Sequence, residues 1–303
     1  MSKLSIGLIG AGAVGCFYAG HMAKKGADVT LITRSPKAYN APIFIESIDG
    51  DFLFSPTAVQ SIHDGASFDV VVLATKVLPS IDTVALIKPF MTDATRLMVI
   101  QNGIFIEDSY VRMFQQPIFR CLAFVCVSRQ SRLHIQHMFF GGLSMGCLNA
   151  ELDVGDPLVQ LLTRLDVPVH IKSNIQLAIW EKLVWNVPFN SLSVICGGVT
   201  TKDLLDQTAI ASRVYKIMKE VQLAAKAVDI QISDAFIDQK IEQTRGMPPY
   251  KTSMCLDYEA GRPMEYEAIL GNLVRFAEDH QLLLPEIRAL YQDVQCIQGA
   301  QRM

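Results

Sequence analysis

Residues 4–15 read Leu-Ser-Ile-Gly-Leu-Ile-Gly-Ala-Gly-Ala-Val-Gly, an apolar run that passes without a spacer into the turn Gly10-Ala11-Gly12-Ala13-Val14-Gly15. No other feature constrains the fold as strongly. In a strand–turn–helix of this kind the first glycine permits a tight turn and the second lets the backbone approach a pyrophosphate. The third lets helix pack on strand, and the helix amino terminus offers unpaired N–H groups to the phosphates. Taken alone, three glycines at this spacing are a weak signal. Here an apolar strand, Leu4 to Ile9, precedes them and a helical pattern, Val14 to Lys25, follows, which is the context that dinucleotide binding requires.

Short apolar strands continue to alternate with helical patterns through the first half of the chain. After the Gly26 stop comes a second strand, Asp28 to Thr33. Asp69 to Thr75 is a continuous apolar run of the kind buried on both faces, and Arg96 to Ile100 is another. Such alternation predicts a parallel sheet wound with helices. Residues 118–146 are β-rich and punctuated by Gly141-Gly142, which adds antiparallel strands. A helix at 157–165 and a strand at 167–171 complete the domain. Beyond Ser173 strand signals fade, and helical periodicity covers 180–193, 203–228, 234–244, 265–280 and 285–297. The expected architecture is an α/β Rossmann-type amino-terminal domain, residues 1–172, with a mostly parallel sheet carrying added antiparallel strands. An all-α domain, residues 173–303, follows it.

The end of the second strand bears on which dinucleotide binds. An NAD site usually places Asp or Glu there to bond the ribose hydroxyls. This chain has Thr33-Arg34-Ser35, and Asp28 stands at the opposite end of the strand. Arg34 could hold the 2′-phosphate of NADP through charge-assisted bonds, or be a solvated arginine. NADPH/NADP is therefore the expected cofactor. Lys76 and Gln101-Asn102-Gly103 close two further strands at the edge marked by the glycine turn, where open α/β sheets bind ligands. Asn-Gly is also a favoured turn pair.

In the helical half, the segment from Trp180 to Asn190 places Lys182, Asn186 and Asn190 four residues apart among Leu183, Val184, Trp185, Val187 and Phe189. At 3.6 residues per turn these polar positions fall in a stripe about 80° wide. On an otherwise buried helix such a stripe needs hydrogen-bond partners or a wet cleft. A lone helical lysine is more often solvent-facing, and Pro188 is expected to kink the helix near the end of the stripe. Further on, Lys251 to Glu267 combines Ser253, Asp257, a turn at Gly261 and Glu265 ahead of another amphipathic helix. Glu265 stands where a helix amino terminus favours negative charge.

In pattern and order these features resemble the ketopantoate reductase (2-dehydropantoate 2-reductase) family over essentially the whole chain. The resemblance implies reduction of a 2-oxo acid, ketopantoate, to pantoate with hydride from NADPH, a step towards pantothenate and coenzyme A. It places the general acid on Lys182, substrate-binding amides on Asn186 and Asn190, a hydroxyl contact on Ser253 and a substrate-binding carboxylate on Glu265. Asn102 would lie between nicotinamide and substrate, and Lys76 beside the cofactor. The chemistry is consistent, since hydride arriving at a ketone leaves an alkoxide that an ammonium can stabilise and protonate.

Two departures from the family pattern bear on substrate choice. Gly197-Gly198-Val199-Thr200 stands where a further polar residue often follows the lysine helix, and Met264 replaces a small hydroxyl residue before Glu265. Another branched 2-oxo acid, as in D-2-hydroxyacid dehydrogenases of this architecture, thus remains open. So does a non-catalytic NADP-binding sensor, although a sensor would not require Lys182, Asn186, Asn190, Ser253 and Glu265 together.

Composition closes other routes. The net charge of −3 gives no basic footprint for nucleic acid. No run approaches the ~20 apolar residues of a membrane span, and Met1 to Ile6 lack the basic, apolar and cleavage-site features of a signal peptide, so none is expected. Seven cysteines form no C-x-x-C pair, so reduced thiols in the cytoplasm are expected. His134-x-x-His137 lacks an evident third ligand, so no metal site is expected. Hydrophobic helices of the second domain leave room for a homodimer face.

Overall fold

The computed structural model describes residues 3–60 and 67–301. They divide into two compact units, which are taken in turn. The first comprises the chain up to Lys76, Asp82–Gln101 and Glu107–Ile175; the second comprises Val77–Ile81, Asn102–Ile106 and the chain from Gln176 onward.

Among the described residues the first unit holds one ten-stranded sheet, β1 (Ser5–Ile9), β2 (Asp28–Ile32), β3 (Ile43–Ser47), β4 (Phe52–Phe54), β5 (Thr57–Val59), β6 (Val70–Leu73), β7 (Arg96–Ile100), β8 (Ile118–Ser131), β9 (His134–Cys147) and β10 (Val169–Ile171). The order is β4-β3-β9-β8-β7-β6-β1-β2-β5, with β10 beside β9. β1 pairs in parallel with both β2 and β6, and β7 is parallel to β6 and β8. The four residues of β6 are completely buried, as expected of a strand covered on both faces. β8 and β9 form a long antiparallel hairpin with three register shifts, and β3 and β4 are also antiparallel. The mostly parallel sheet with added antiparallel strands thus has the expected form. The sequence reading did not resolve β3, β4 and β5, nor the short helices α2 (Thr83–Ile87) and α3 (Asp108–Met113), which follow α1 (Ala13–Lys24) in the chain.

α1 packs on the sheet through Cys16, Phe17, Tyr18, Ala19 and Met22. Tyr18 Oη donates to Gly142 O at 2.9 Å, tying the helix to β9. His21 on the same helix is buried between Phe17 and Phe52, and neither ring nitrogen has a hydrogen-bond partner among the described residues. Burial therefore lowers its pKa from 6.5 to about 4, with the Lys24 charge adding to the effect. A histidine forced neutral by the fold takes up its proton on unfolding, so stability is full above pH 6.5 and falls as pH drops towards 4. The urea midpoint should fall over that interval, by the equivalent of about 1–3 kcal/mol, and His21→Leu should flatten the fall. An unchanged slope in the variant would contradict this account.

A short helix, α4 (Pro157–Leu162), completes the first unit with β10. The second unit is helical: α5 (Ile175–Ile195), α6 (Thr201–Asp206), α7 (Thr208–Lys226), α8 (Asp234–Arg245), α9 (Ser253–Glu259), a π-helical turn at Glu267–Gly271, α10 (Asn272–Asp279) and α11 (Pro285–Ala300). α5 runs unbroken through Pro188, so Asn190 stays on the helix. The periodicity over 203–228 hides a break, because Gln207 takes an extended conformation (ψ 109°) that ends α6 and starts α7. Thr200 and Asp203 form a reciprocal capping box on α6.

Candidate active site

In the first unit the three glycines of the turn meet different steric demands. Gly10 has φ of 103°, and a Cβ there would lie 2.4 Å from the backbone carbon of Ala74. At Gly15 a Cβ would lie 2.3 Å from Gly10 O. The fold itself therefore requires both glycines. Gly12 differs, since its φ of −80° suits any residue and a Cβ there would meet no protein atom within 4 Å. Nothing in the protein demands glycine at this position, whereas a pyrophosphate approaching the backbone does. No side chain caps the amino terminus of α1, which leaves its N–H groups suited to an anion. Arg34 is exposed at the turn after β2, and Lys76 follows β6 and is half-buried.

Gln101 at the end of β7 is buried and fixed at both ends of its carboxamide. Nε2 donates to Thr75 O at 2.9 Å, while Oε1 accepts from Tyr110 Oη at 3.1 Å. Its carbonyl oxygen accepts from Nη1 of the fully buried Arg120 at 2.6 Å. Sequence reasoning passed over Arg120 and Tyr110, because an arginine within a strand and a tyrosine on a short helix carry no local signal of these contacts.

The second unit gathers the polar residues of the helical half. Lys182 is half-buried on α5, and its Nζ donates to Asn102 Oδ1 at 3.0 Å. The two residues are 80 positions apart in the chain, so no sequence pattern could pair them. Asn186 and Asn190 are buried one turn apart on the same face of α5. Such amides are suited to binding a polar ligand.

α5 continues to Ser193, whose hydroxyl lies 2.9 Å from Thr252 Oγ1; both residues are fully buried. Thr252 caps α9 by accepting from Cys255 N–H, so Ser253 is the exposed first residue of a helix that the sequence pattern does not predict, and the expected turn at Gly261 follows that helix. A Thr ahead of Ser-Met-Cys-Leu is a capping signal that could have revealed α9. Glu265 immediately precedes the helical run that begins at Tyr266, and its Oε1 accepts the Val77 N–H at 3.0 Å. It thereby ties the Val77–Ile81 segment to the helical unit. Met264 is buried beside it, with its N–H bonded to Gln298 Oε1 at 2.7 Å.

Among the described residues no cluster of three His, Cys, Asp or Glu side chains could hold a metal ion, and no helix is long and apolar enough to cross a membrane. His134 and His137 bond instead to Glu46 and Ser47 of β3.

The family profile described as "Ketopantoate reductase PanE/ApbA" matches residues 6–150, and the one described as "Ketopantoate reductase PanE/ApbA C terminal" matches 174–298. A 2-dehydropantoate 2-reductase of Nostoc sp. is 30% identical, covering 100% of this chain and 98% of the relative. The crystal structure of 2-dehydropantoate 2-reductase from Methylococcus capsulatus superposes with a TM-score of 0.92 at 32% identity, covering 99% of this chain and 98% of that one. D-Mandelate dehydrogenase, in a ternary structure with NADH and anilino(oxo)acetate, shares the fold at a TM-score of 0.89 and 18% identity, covering 99% of this chain and 100% of that one.

Proposed function

The chain belongs to the ketopantoate reductase family, and from that premise we propose that it reduces ketopantoate (2-dehydropantoate) to pantoate with NADPH, a step towards pantothenate and coenzyme A. The observation that carries this reading is the Lys182 ammonium, held 3.0 Å from Asn102 Oδ1 on the polar face of a buried helix. An isolated nucleotide sensor has no use for an ammonium so placed.

Gly10 to Gly15, with Ala11, Ala13 and Val14 between the glycines, hold the pyrophosphate of the dinucleotide. Arg34 takes the 2′-phosphate, and Lys76 and Asn102 lie along the cofactor. When bound, NADPH supplies the hydride. The chain's own residues supply the rest. Asn186 and Asn190 orient the 2-oxo acid through their carboxamides, Ser253 contributes a hydroxyl, and Glu265 a carboxylate. Lys182 points an N–H at the ketone oxygen. As C2 accepts the hydride, negative charge grows on that oxygen, and the ammonium first stabilises it and then transfers a proton. The products are the 2-hydroxy acid, oxidised NADP and a neutral lysine, which regains its proton from solvent. The seven free thiols, Cys16, Cys121 and Cys255 among them buried, support a reducing compartment such as the cytoplasm.

Incubated with ketopantoate and NADPH, the protein should form pantoate and NADP one for one. Failure to form pantoate would overturn the assignment of substrate. Cofactor preference has its own test. Arg34→Glu should raise KM for NADPH by about 10- to 100-fold, the worth of one or two charge-assisted hydrogen bonds, and leave KM for NADH nearly unchanged. Equal effects on both cofactors would remove Arg34 from the 2′-phosphate site.

A further inference from the structure

The turn that carries Asn102 rests on the π-helical segment of the second unit. Asn272 N–H reaches back five residues to Glu267 O, which releases Ala268 O from its four-residue donor. That carbonyl accepts the Ile104 N–H at 3.0 Å. The Asn272 side chain completes the clamp, with Nδ2 donating to Ile104 O at 2.6 Å. Both backbone groups of one residue in the loop are thus held by neighbouring residues of one helix. Gly103 allows the approach, since its φ is 108° and a Cβ there would stand 2.7 Å from the Ala268 Cβ. On the far side Phe105, with φ of 57°, stacks on Phe276 at 4.9 Å and meets the edge of Trp180, two residues before Lys182. A left-handed phenylalanine costs on the order of 1–2 kcal/mol and persists only where its surroundings fix it.

The clamp is itself supported. Arg275 Nη2 donates to Asn272 Oδ1 at 2.8 Å, which orients the carboxamide with its NH2 towards Ile104. Arg275 Nη1 bonds Glu267 Oε2 at 3.0 Å, and Glu267 Oε1 accepts from Tyr291 Oη at 2.7 Å. Local π turns recur at functional sites because they release such groups.

We infer that Asn272 and the π turn form a seat that fixes Asn102 opposite the Lys182 ammonium, making Asn272 a positioning residue for the reduction. The inference rests on the function proposed above. Misplacing a catalytic partner by about 1 Å can cost two orders of magnitude, and loss of one of two anchors should cost less.

The test uses the full chain with Asn272→Ala and Asn272→Asp, the latter keeping the size while losing the donor to Ile104. Hydrogen–deuterium exchange of residues 102–106 should rise about tenfold or more in both variants, while β7 exchanges as before. Turnover should fall about tenfold with KM for NADPH within about twofold. In an Asn102→Ala background, Asn272→Ala should change kcat by less than about twofold, because its effect passes through Asn102. Unchanged exchange at 102–106 in a folded variant would overturn the seat, and a full, multiplicative loss in the Asn102→Ala background would overturn the positioning role. The exchange measurement needs no turnover. A wild-type protein inactive on 2-oxo acids would thus refute the function while leaving the seat tested.

Discussion

Lys182→Ala should lower kcat for the 2-oxo acid by about 10²- to 10⁴-fold, the range a positioned general acid contributes, while the Kd for NADPH stays within about twofold. The expectation follows from where the side chain sits. Lys182 Nζ bonds Asn102 Oδ1 and belongs to the helical unit, whereas the proposed phosphate cradle, Gly10 to Gly15, belongs to the sheet unit. The variant loses no backbone bond, because α5 is anchored by Trp180, Leu183, Val184, Val187 and Phe189, all buried. Its effect should therefore fall on the chemical step. Fluorescence titration of NADPH and single-turnover kinetics separate the two quantities. Turnover within about threefold of wild type would remove Lys182 from the mechanism.

Gly12→Val should raise the Kd for NADPH by about 10- to 100-fold, since each charge-assisted backbone contact to a phosphate is worth about 1.5–3 kcal/mol. The contrast with its neighbours makes the prediction sharp. A side chain at Gly15 would collide with Gly10 O at 2.3 Å, so substitution there damages the fold and binding together. At Gly12 the backbone is ordinary and an added Cβ would meet nothing within 4 Å among the described residues, so the urea midpoint should stay close to wild type. Isothermal titration and urea unfolding of the same preparation decide the matter. A large loss of stability would show that Gly12 serves the fold, and an unchanged Kd would move the pyrophosphate elsewhere.

The parts of this architecture that a reader of the sequence can see are those set by local pattern. β1, β2, β6 and β7 announce themselves as apolar runs, and the glycine turn marks the crossover helix between β1 and β2. β4 and β5, three residues each, are too short to show alternation. α9 was hidden because seven residues give barely two turns of periodicity, although Thr252 marks its start. The division at Gln207 was hidden for the opposite reason, since apolar positions continue on both sides and neither Pro nor Gly punctuates them.

The candidate site divides in the same way. The Lys182, Asn186 and Asn190 stripe is a consequence of helical pitch, and Asn190 keeps its place because α5 tolerates Pro188. The bond from Lys182 to Asn102 and the seat of the Asn102 loop on Ala268 and Asn272 are tertiary, joining residues 80 or more apart. Glu265 illustrates what sequence alone leaves open. It does stand at the start of a helical run, yet its Oε1 accepts the Val77 N–H, which no capping rule foretells.

The central claim is that this chain is an NADPH-dependent reductase of a 2-oxo acid. Steady-state oxidation of NADPH, followed at 340 nm with ketopantoate and a panel of other branched and aromatic 2-oxo acids and repeated with NADH, tests it most directly. Ketopantoate with NADPH should give the highest kcat/KM, at least tenfold above NADH, in line with one lost phosphate contact. Absence of turnover on every acid with either cofactor, from a folded protein that still binds NADPH, would contradict it.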